Sequence, residues 1–204
     1  FEETIRFTVN TPKAVSFPFY LRIPSWTEGA TIFVNGKKVA ANPEAGQYAC
    51  INREWKDNDQ VEIQLPMQLS MRTWQVNKNS VSVDYGPLTM SLKIDEDYVK
   101  KDSRATAIGD SKWQEGADAS QWPTYEIYAK TPWNYALVLG KNEPLKDFKV
   151  VHKEWPADNF PFTVASTPIE VKAIGRKVPS WVIDQYDLCS GKPKPAVWLL
   201  PSES

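Results

Sequence analysis

The sequence predicts an all-β protein made of two β-sandwich units, of jelly-roll or immunoglobulin-like type, with little or no helix. Apolar residues alternate with polar ones in short runs, which is the period of a half-buried strand. Turn-forming residues separate the runs at roughly 8–12 positions, the spacing of a sandwich. No segment sustains a helical period. The composition agrees, with 16 Pro, 9 Trp and 8 Tyr against only 9 Gly in 204 residues.

Each run is justified in turn. TIRFTVN sets Ile5, Phe7 and Val9 on one face and Thr4, Arg6 and Thr8 on the other. VSFPFYLRIPSW continues with Phe17, Phe19, Leu21 and Ile23 on one face. Pro18 has no N–H to give a central ladder, so this strand belongs at an edge or a bulge. ATIFV, Asn35-Gly36 and KKVAA form a hairpin, because Asn-Gly tolerates the two positive φ angles of a type I′ turn. GQYACINREW and QVEIQL flank the polar turn Lys56-Asp57-Asn58-Asp59. LSMRTWQV, SVSVDYG and PLTMSLKI complete a first unit over residues 1–94. Residues 95–121 are polar and weakly periodic, a long connection with one extended piece. The second unit, 95–204, takes in that connection. It continues through TYEIYAKT, WNYALVL, DFKVVHKEW, FTVAS, IEVKAIGR, KVPSWVID and AVWLL, the last strands being free to return to the first unit.

Charge excludes whole classes of partner. Lys and Arg number 24 against 25 Asp and Glu, a net of -1. Such a chain has no field for nucleic acid or an anionic membrane. No apolar run approaches the ~20 residues that span a bilayer. The opening FEETIRFTVN is no basic and apolar leader, so the chain is expected to be mature, truncated or excised from something longer. The single His argues against a His-based triad and a multi-His metal site, and two Cys cannot build a Cys-rich zinc site.

The remaining candidates are weighed residue by residue. A glycosidase pair would need two acids roughly 5–10 Å apart. Glu44, Glu54, Glu62, Asp84, Glu126 and Glu170 are available. Alternation puts Glu62 and Glu170 on solvated faces, and Glu54 and Asp84 beside aromatic residues, where partial burial is expected. Flat aromatic faces can pack on sugar C–H surfaces. Trp113, Trp122 and Trp133 are the carbohydrate-binding candidates, with Trp155 next, since Trp26, Trp55 and Trp181 read as core. Asp57-Asn58-Asp59 and Asp95-Glu96-Asp97 carry the oxygen ligands of a hard cation, but the first reads more simply as a turn. His152 sits in an alternating strand and reads as an ordinary hydrogen-bonded residue. Cys50, among apolar neighbours, is expected to be a buried thiol; a bridge to Cys189 stays open.

LRIPSWTEGATIFVNGKKV followed by GQYACINREWKDNDQVEIQLPM resembles the region after the catalytic barrel in β-L-arabinofuranosidase-type glycoside hydrolases, family 127 and its relatives. The resemblance rests on Leu21, Arg22, Ile23, Pro24, Ser25, Trp26, Val34, Asn35, Gly36, Tyr48, Ile51, Arg53, Trp55, Asp59 and Pro66. It continues through Tyr85, Gly86, Pro87 and Leu88 in VDYGPLTMSL, and into TYEIYAKTPWNYALVL and PIEVKAIGRKVPSW. It implies the non-catalytic C-terminal β-sandwich part of a periplasmic or secreted glycoside hydrolase, packing on and supporting an (α/α)6 barrel that these residues do not contain. No catalytic or metal residue and no cofactor is then expected here, zinc belonging to the barrel. The partners implied are that barrel, a carbohydrate and a second copy of the chain. The alternatives are an autonomous carbohydrate-binding module and a self-sufficient glycosidase.

Overall fold

A computed structural model of the protein describes residues 1–39, 44–106, 116–118, 120–183 and 189–190. Among the described residues the regular structure is almost wholly antiparallel strand, the class the sequence predicts. Two compact units are present: Phe1–Ser91 with Gly140–Asp147, and Leu92–Leu139 with the described residues from Phe148 onward. No helix among the described residues is long and apolar enough to cross a membrane.

The first unit holds β1 (Thr4–Thr8), β2 (Val15–Arg22), β3 (Thr31–Val34), β4 (Lys37–Lys38), β5 (Tyr48–Trp55), β6 (Gln60–Gln64), β7 (Leu69–Trp74), β8 (Ser80–Tyr85) and β9 (Leu88–Met90). One sheet runs β1-β6-β3-β4, a second pairs β2 with β5, and a third runs β7-β8-β9. The inward stripes of the first two sheets meet in one core of Leu21, Ile23, Ile32, Val34, Ala49, Ile51, Trp55, Val61 and Ile63, among others. Trp55 is its largest fully buried side chain. Its ring lies 5.7 Å from Phe17 and 5.6 Å from Phe19, and its Nε1–H donates to the Phe17 carbonyl at 2.9 Å. Burying Trp fully requires a partner for that N–H, and the paired strand β2 supplies it.

The Asn-Gly hairpin forms as its sequence requires, with Asn35 at φ 50 and Gly36 at φ 73. Asn35 does more than turn. Its Nδ2 donates to Asp59 Oδ1 at 2.7 Å and its Oδ1 accepts from the Gln60 N–H at 2.8 Å. Asp59 Oδ2 accepts from the Lys56 N–H at 2.9 Å and faces Arg53 Nη2 at 3.5 Å. Asp57 Oδ1 accepts from the Thr11 N–H and its Oδ2 from Asn58. The Lys56–Asp59 segment thus clasps the hairpin, which is the turn reading of its acids.

Cys50 departs from expectation: it is a free, exposed thiol. The fully buried Trp55 sets the phase of β5, so Ala49 and Ile51 point inward with it while Tyr48 and Cys50 face out. The Cys189 side chain lies outside the described residues.

In the second unit, β10 (Glu96–Lys101) pairs with β11 (Thr124–Ala129), β12 (Tyr135–Leu137) with β15 (Gly175–Lys177), β13 (Lys149–His152) with β14 (Ile169–Lys172), and β16 (Val182–Ile183) with β17 (Cys189–Ser190). Among the described residues these ribbons are not joined into a larger sheet. β10 is the extended piece of the polar connection. FTVAS is not a strand. Ser166 Oγ donates to the Phe160 carbonyl at 2.7 Å, and the Thr167 N–H reaches the Thr163 carbonyl at 3.0 Å. Ser and Thr hydroxyls here satisfy the backbone locally and displace ladder pairing.

Candidate functional site

The strand alternation that builds the first unit's core also builds a polar face. In the third sheet, Ser70 pairs with Asp84, Arg72 with Ser82, Trp74 with Ser80, and Asp84 with Thr89. Directly paired residues share a face, so these side chains stand together, opposite the buried Val83 and Tyr85. Arg72 Nη2 and Nε donate to Asp84 Oδ2 at 2.9 and 3.3 Å, and Thr89 Oγ1 donates to Asp84 Oδ1 at 2.7 Å. The Arg72 guanidinium also lies 5.0 Å from the Trp74 ring centroid, and Trp74 Nε1 donates to Ser82 Oγ at 3.2 Å.

A second element closes over this face. After β2 the chain leaves as Ile23-Pro24-Ser25-Trp26, anchored by the Ile23 N–H on the Gln47 carbonyl at 2.8 Å. The buried Thr27 donates its Oγ1 proton to the Pro66 carbonyl at 3.0 Å. Trp26 is half-buried and packs on the core. Between this segment and the sheet lies a cleft of about 410 Å³, lined by Ser25, Trp26, Ser70, Arg72, Asp84, Gly86, Pro87 and Thr89. Gly86 opens the β8–β9 turn at φ +55, and a Cβ there would sit 2.5 Å from Met67 Cγ. Two stretches that carry the family resemblance, LRIPSW and DYGPL, therefore meet at one cleft.

The cleft is electrostatically settled. The Thr89 hydroxyl, with Arg72 beside it, outweighs burial and holds Asp84 below the ordinary carboxylate range. Asp59 is lowered too, first by the Asn35 amide and then by the Lys56 N–H, with Arg53 adding its charge. A carboxylate whose folded value lies below its unfolded one contributes stability in full above the unfolded value, near pH 3.9. That contribution disappears as pH falls through the depressed folded value. Urea midpoints are therefore expected to hold between about pH 7 and 5 and to drop below about pH 4. Asp84→Asn is expected to flatten part of that drop; a slope unchanged in Asp84→Asn and Asp59→Asn alike contradicts it.

The other candidate residues are placed as follows. Trp122 is 68% exposed, Trp133 is half-buried, and both belong to the second unit; Trp113 lies outside the described residues. Trp155 is exposed and donates its Nε1–H to Asn159 Oδ1 at 2.7 Å. Glu62 is bound to Arg6 at 2.9 Å, Glu126 to Lys101 at 3.0 Å, and Glu170 to Lys153 and Lys93. Glu44, Glu54 and His152 are exposed. Asp84 is the one acid among the described residues lining the cleft. Among the described residues no group of three His, Cys, Asp or Glu side chains is placed to hold a metal ion. Trp26, Arg72 and Thr89 escape sequence reasoning as site residues. Their signal is the polar phase of β7 and β8, Ser-x-Arg-x-Trp against Ser-x-Ser-x-Asp.

Comparison with known proteins bears chiefly on the first two sheets. The family model described as "Beta-L-arabinofuranosidase, GH127 middle domain" matches residues 1–67. A solved structure titled "Glycoside hydrolase" is 30% identical, with 49% of this chain and 20% of that chain covered and a TM-score of 0.40. The structure of Ara127N-Se, a GH127 β-L-arabinofuranosidase from Geobacillus stearothermophilus T6, is 22% identical, with 63% and 25% covered and a TM-score of 0.39. The chain thus spans a quarter or less of the solved chains it resembles. No curated protein matches it. Residues 1–67, the segment that folds as the first two facing sheets, are thus the part of this chain that is similar to the GH127 middle-domain model.

Proposed function

We propose that the chain is a non-catalytic β part of a periplasmic or secreted β-L-arabinofuranosidase-like glycoside hydrolase, and that it packs on and supports an (α/α)6 catalytic barrel. The match of residues 1–67 to the middle domain carries this reading. Zinc and the reacting acids then belong to the barrel, and this chain supplies a rigid face to it.

The rim of the first unit supports a docking role. Ile5, Phe7 and Val15, on β1 and β2, are 45%, 37% and 39% exposed although their alternation points them at the core. β1 is an edge strand and β2 pairs only with β5 among the described residues, so this side of the core is left partly open. Exposed apolar side chains on the core face of rim strands mark a surface that another body can cover.

Ile5→Glu tests it. In this chain alone the loss is expected to stay near 0.5–1 kcal/mol, the cost of an edge substitution. In an enzyme carrying barrel and chain together, a buried unpaired charge is expected to add about 2 kcal/mol or more. Equal losses in the two proteins would contradict docking through this rim.

A further inference from the structure

We propose that the cleft between Ser25-Trp26 and the β7–β8–β9 face is a subsite for one neutral sugar residue, held by two neighbouring hydroxyls on Arg72 and Asp84 with a C–H face against Trp26. Three features converge on that ligand class. Arg72 spends one Nη2 proton and its Nε proton on Asp84 and keeps further N–H donors. Asp84 is ionised and accepts on both oxygens, with lone-pair capacity beyond Arg72 and Thr89. A fixed donor beside a fixed acceptor fits a vicinal diol, in which one hydroxyl accepts while its neighbour donates. Ser25 and Ser70 also line the cleft, and no hydrogen bond within the described residues occupies either hydroxyl. They serve a third hydroxyl in either sense.

The alternatives fit less well. A phosphate or carboxylate would meet the Asp84 charge, which already neutralises Arg72 at 2.9 Å. An apolar ligand would strip water from Ser, Thr, Arg and Asp without replacing it. A cation would find a single acid among the described residues of the cleft. About 410 Å³ is room for one ring, near the lower end of small-molecule sites at roughly 300–1,000 Å³. The Arg72–Asp84–Thr89 array is already assembled, so little ordering is lost on binding.

The test is an NMR titration of the ¹⁵N-labelled chain with methyl β-L-arabinofuranoside, L-arabinose and D-galactose separately, and with inorganic phosphate as the charged probe. The readouts are the Trp26 indole N–H and the Gly86 and Thr89 amides. At least one sugar is expected to shift all three saturably, with Kd on the order of 1–10 mM. Arg72→Met and Asp84→Asn are expected to weaken it about tenfold or more. Ser25→Ala, which breaks no bond that anchors the segment, is expected to weaken it about threefold and decides the matter if the charged variants fail to fold. No saturable shift with any sugar at about 100 mM, well above such a Kd, would overturn the proposal. So would sugar shifts confined to other residues such as Trp122, or a saturable response to phosphate at this cleft. Binding is read on this chain alone, so its failure and a failure of barrel docking are separate results.

Discussion

Trp55→Ala is expected to cost roughly 3–5 kcal/mol, the range of a fully buried aromatic truncated in a core. Three losses coincide at this position. The 0% exposed ring vacates space bounded by Phe17 and Phe19. The Phe17 carbonyl loses the indole N–H that reaches it at 2.9 Å, leaving an acceptor to find water or go unpaired. Arg53, whose guanidinium sits 5.1 Å from the Trp55 ring centroid, loses its π face while still opposite Asp59. Trp55→Phe separates these contributions, because it keeps most of the volume and deletes the N–H. Urea unfolding of both variants measures it. A loss below about 1.5 kcal/mol for Trp55→Ala would mean that the ring is not the centre of this core.

Gly86→Ala is the second large effect, at about 2–5 kcal/mol, the sum of a backbone cost and a packing cost. Left-handed backbone costs an L-residue about 1–2 kcal/mol, and Gly86 sits at φ +55. The added Cβ would lie 2.5 Å from Met67 Cγ, 2.7 Å from its sulfur and 3.0 Å from its Cβ. Met side chains yield, but Met67 is itself buried and its Cβ is tied to the backbone. Overpacking of this kind adds about 1–3 kcal/mol. Gly36→Ala makes the control, since Gly36 has φ +73 but an added Cβ there would meet nothing within 4 Å. Equal losses for the two variants would show that the conformational cost alone acts, and that the Gly86 turn does not press on Met67.

Most of the first unit's fold is legible from residue order. Asn35-Gly36 announces its hairpin because few dipeptides accept two positive φ angles, and the apolar runs announce β2, β5 and β6 because the core demands period two. The phase of β5 is harder. Tyr48, Ala49, Cys50 and Ile51 are all compatible with burial, so the run does not itself say which set faces in. Trp55, an odd number of residues from Cys50, decides it, and Cys50 goes outside. The FTVAS segment misleads for a related reason: its side chains suit a strand, but Thr163 and Ser166 have hydroxyls that close a turn first.

The cleft is legible only in halves. LRIPSW and DYGPL are recognisable as motifs more than fifty residues apart in the sequence, yet nothing local says that they meet. Asp84 stands beside Tyr85 in the sequence, but its neighbours in space are Arg72 and Thr89, fixed by the β7–β8 and β8–β9 registers. Register is a property of strand pairs, so a single strand's pattern cannot reveal which polar residues it will face. Composition directs the search for sugar-binding aromatics to the polar connection, where Trp122 is indeed exposed. The cleft instead takes Trp26, a residue that packs on the core with one part and lines the cleft with another.

The central claim is that this chain contributes support and contact surface, and that the chemistry belongs to a barrel. The most direct test is to incubate the purified chain with 4-nitrophenyl β-L-arabinofuranoside, with and without added zinc, and follow nitrophenol release. No release above the buffer rate is expected under either condition, because among the described residues Asp84 is the one acid lining the cleft, held ionised by Thr89 and Arg72. Release that rises in proportion to the concentration of the chain, and is lost in Asp84→Asn, would contradict it.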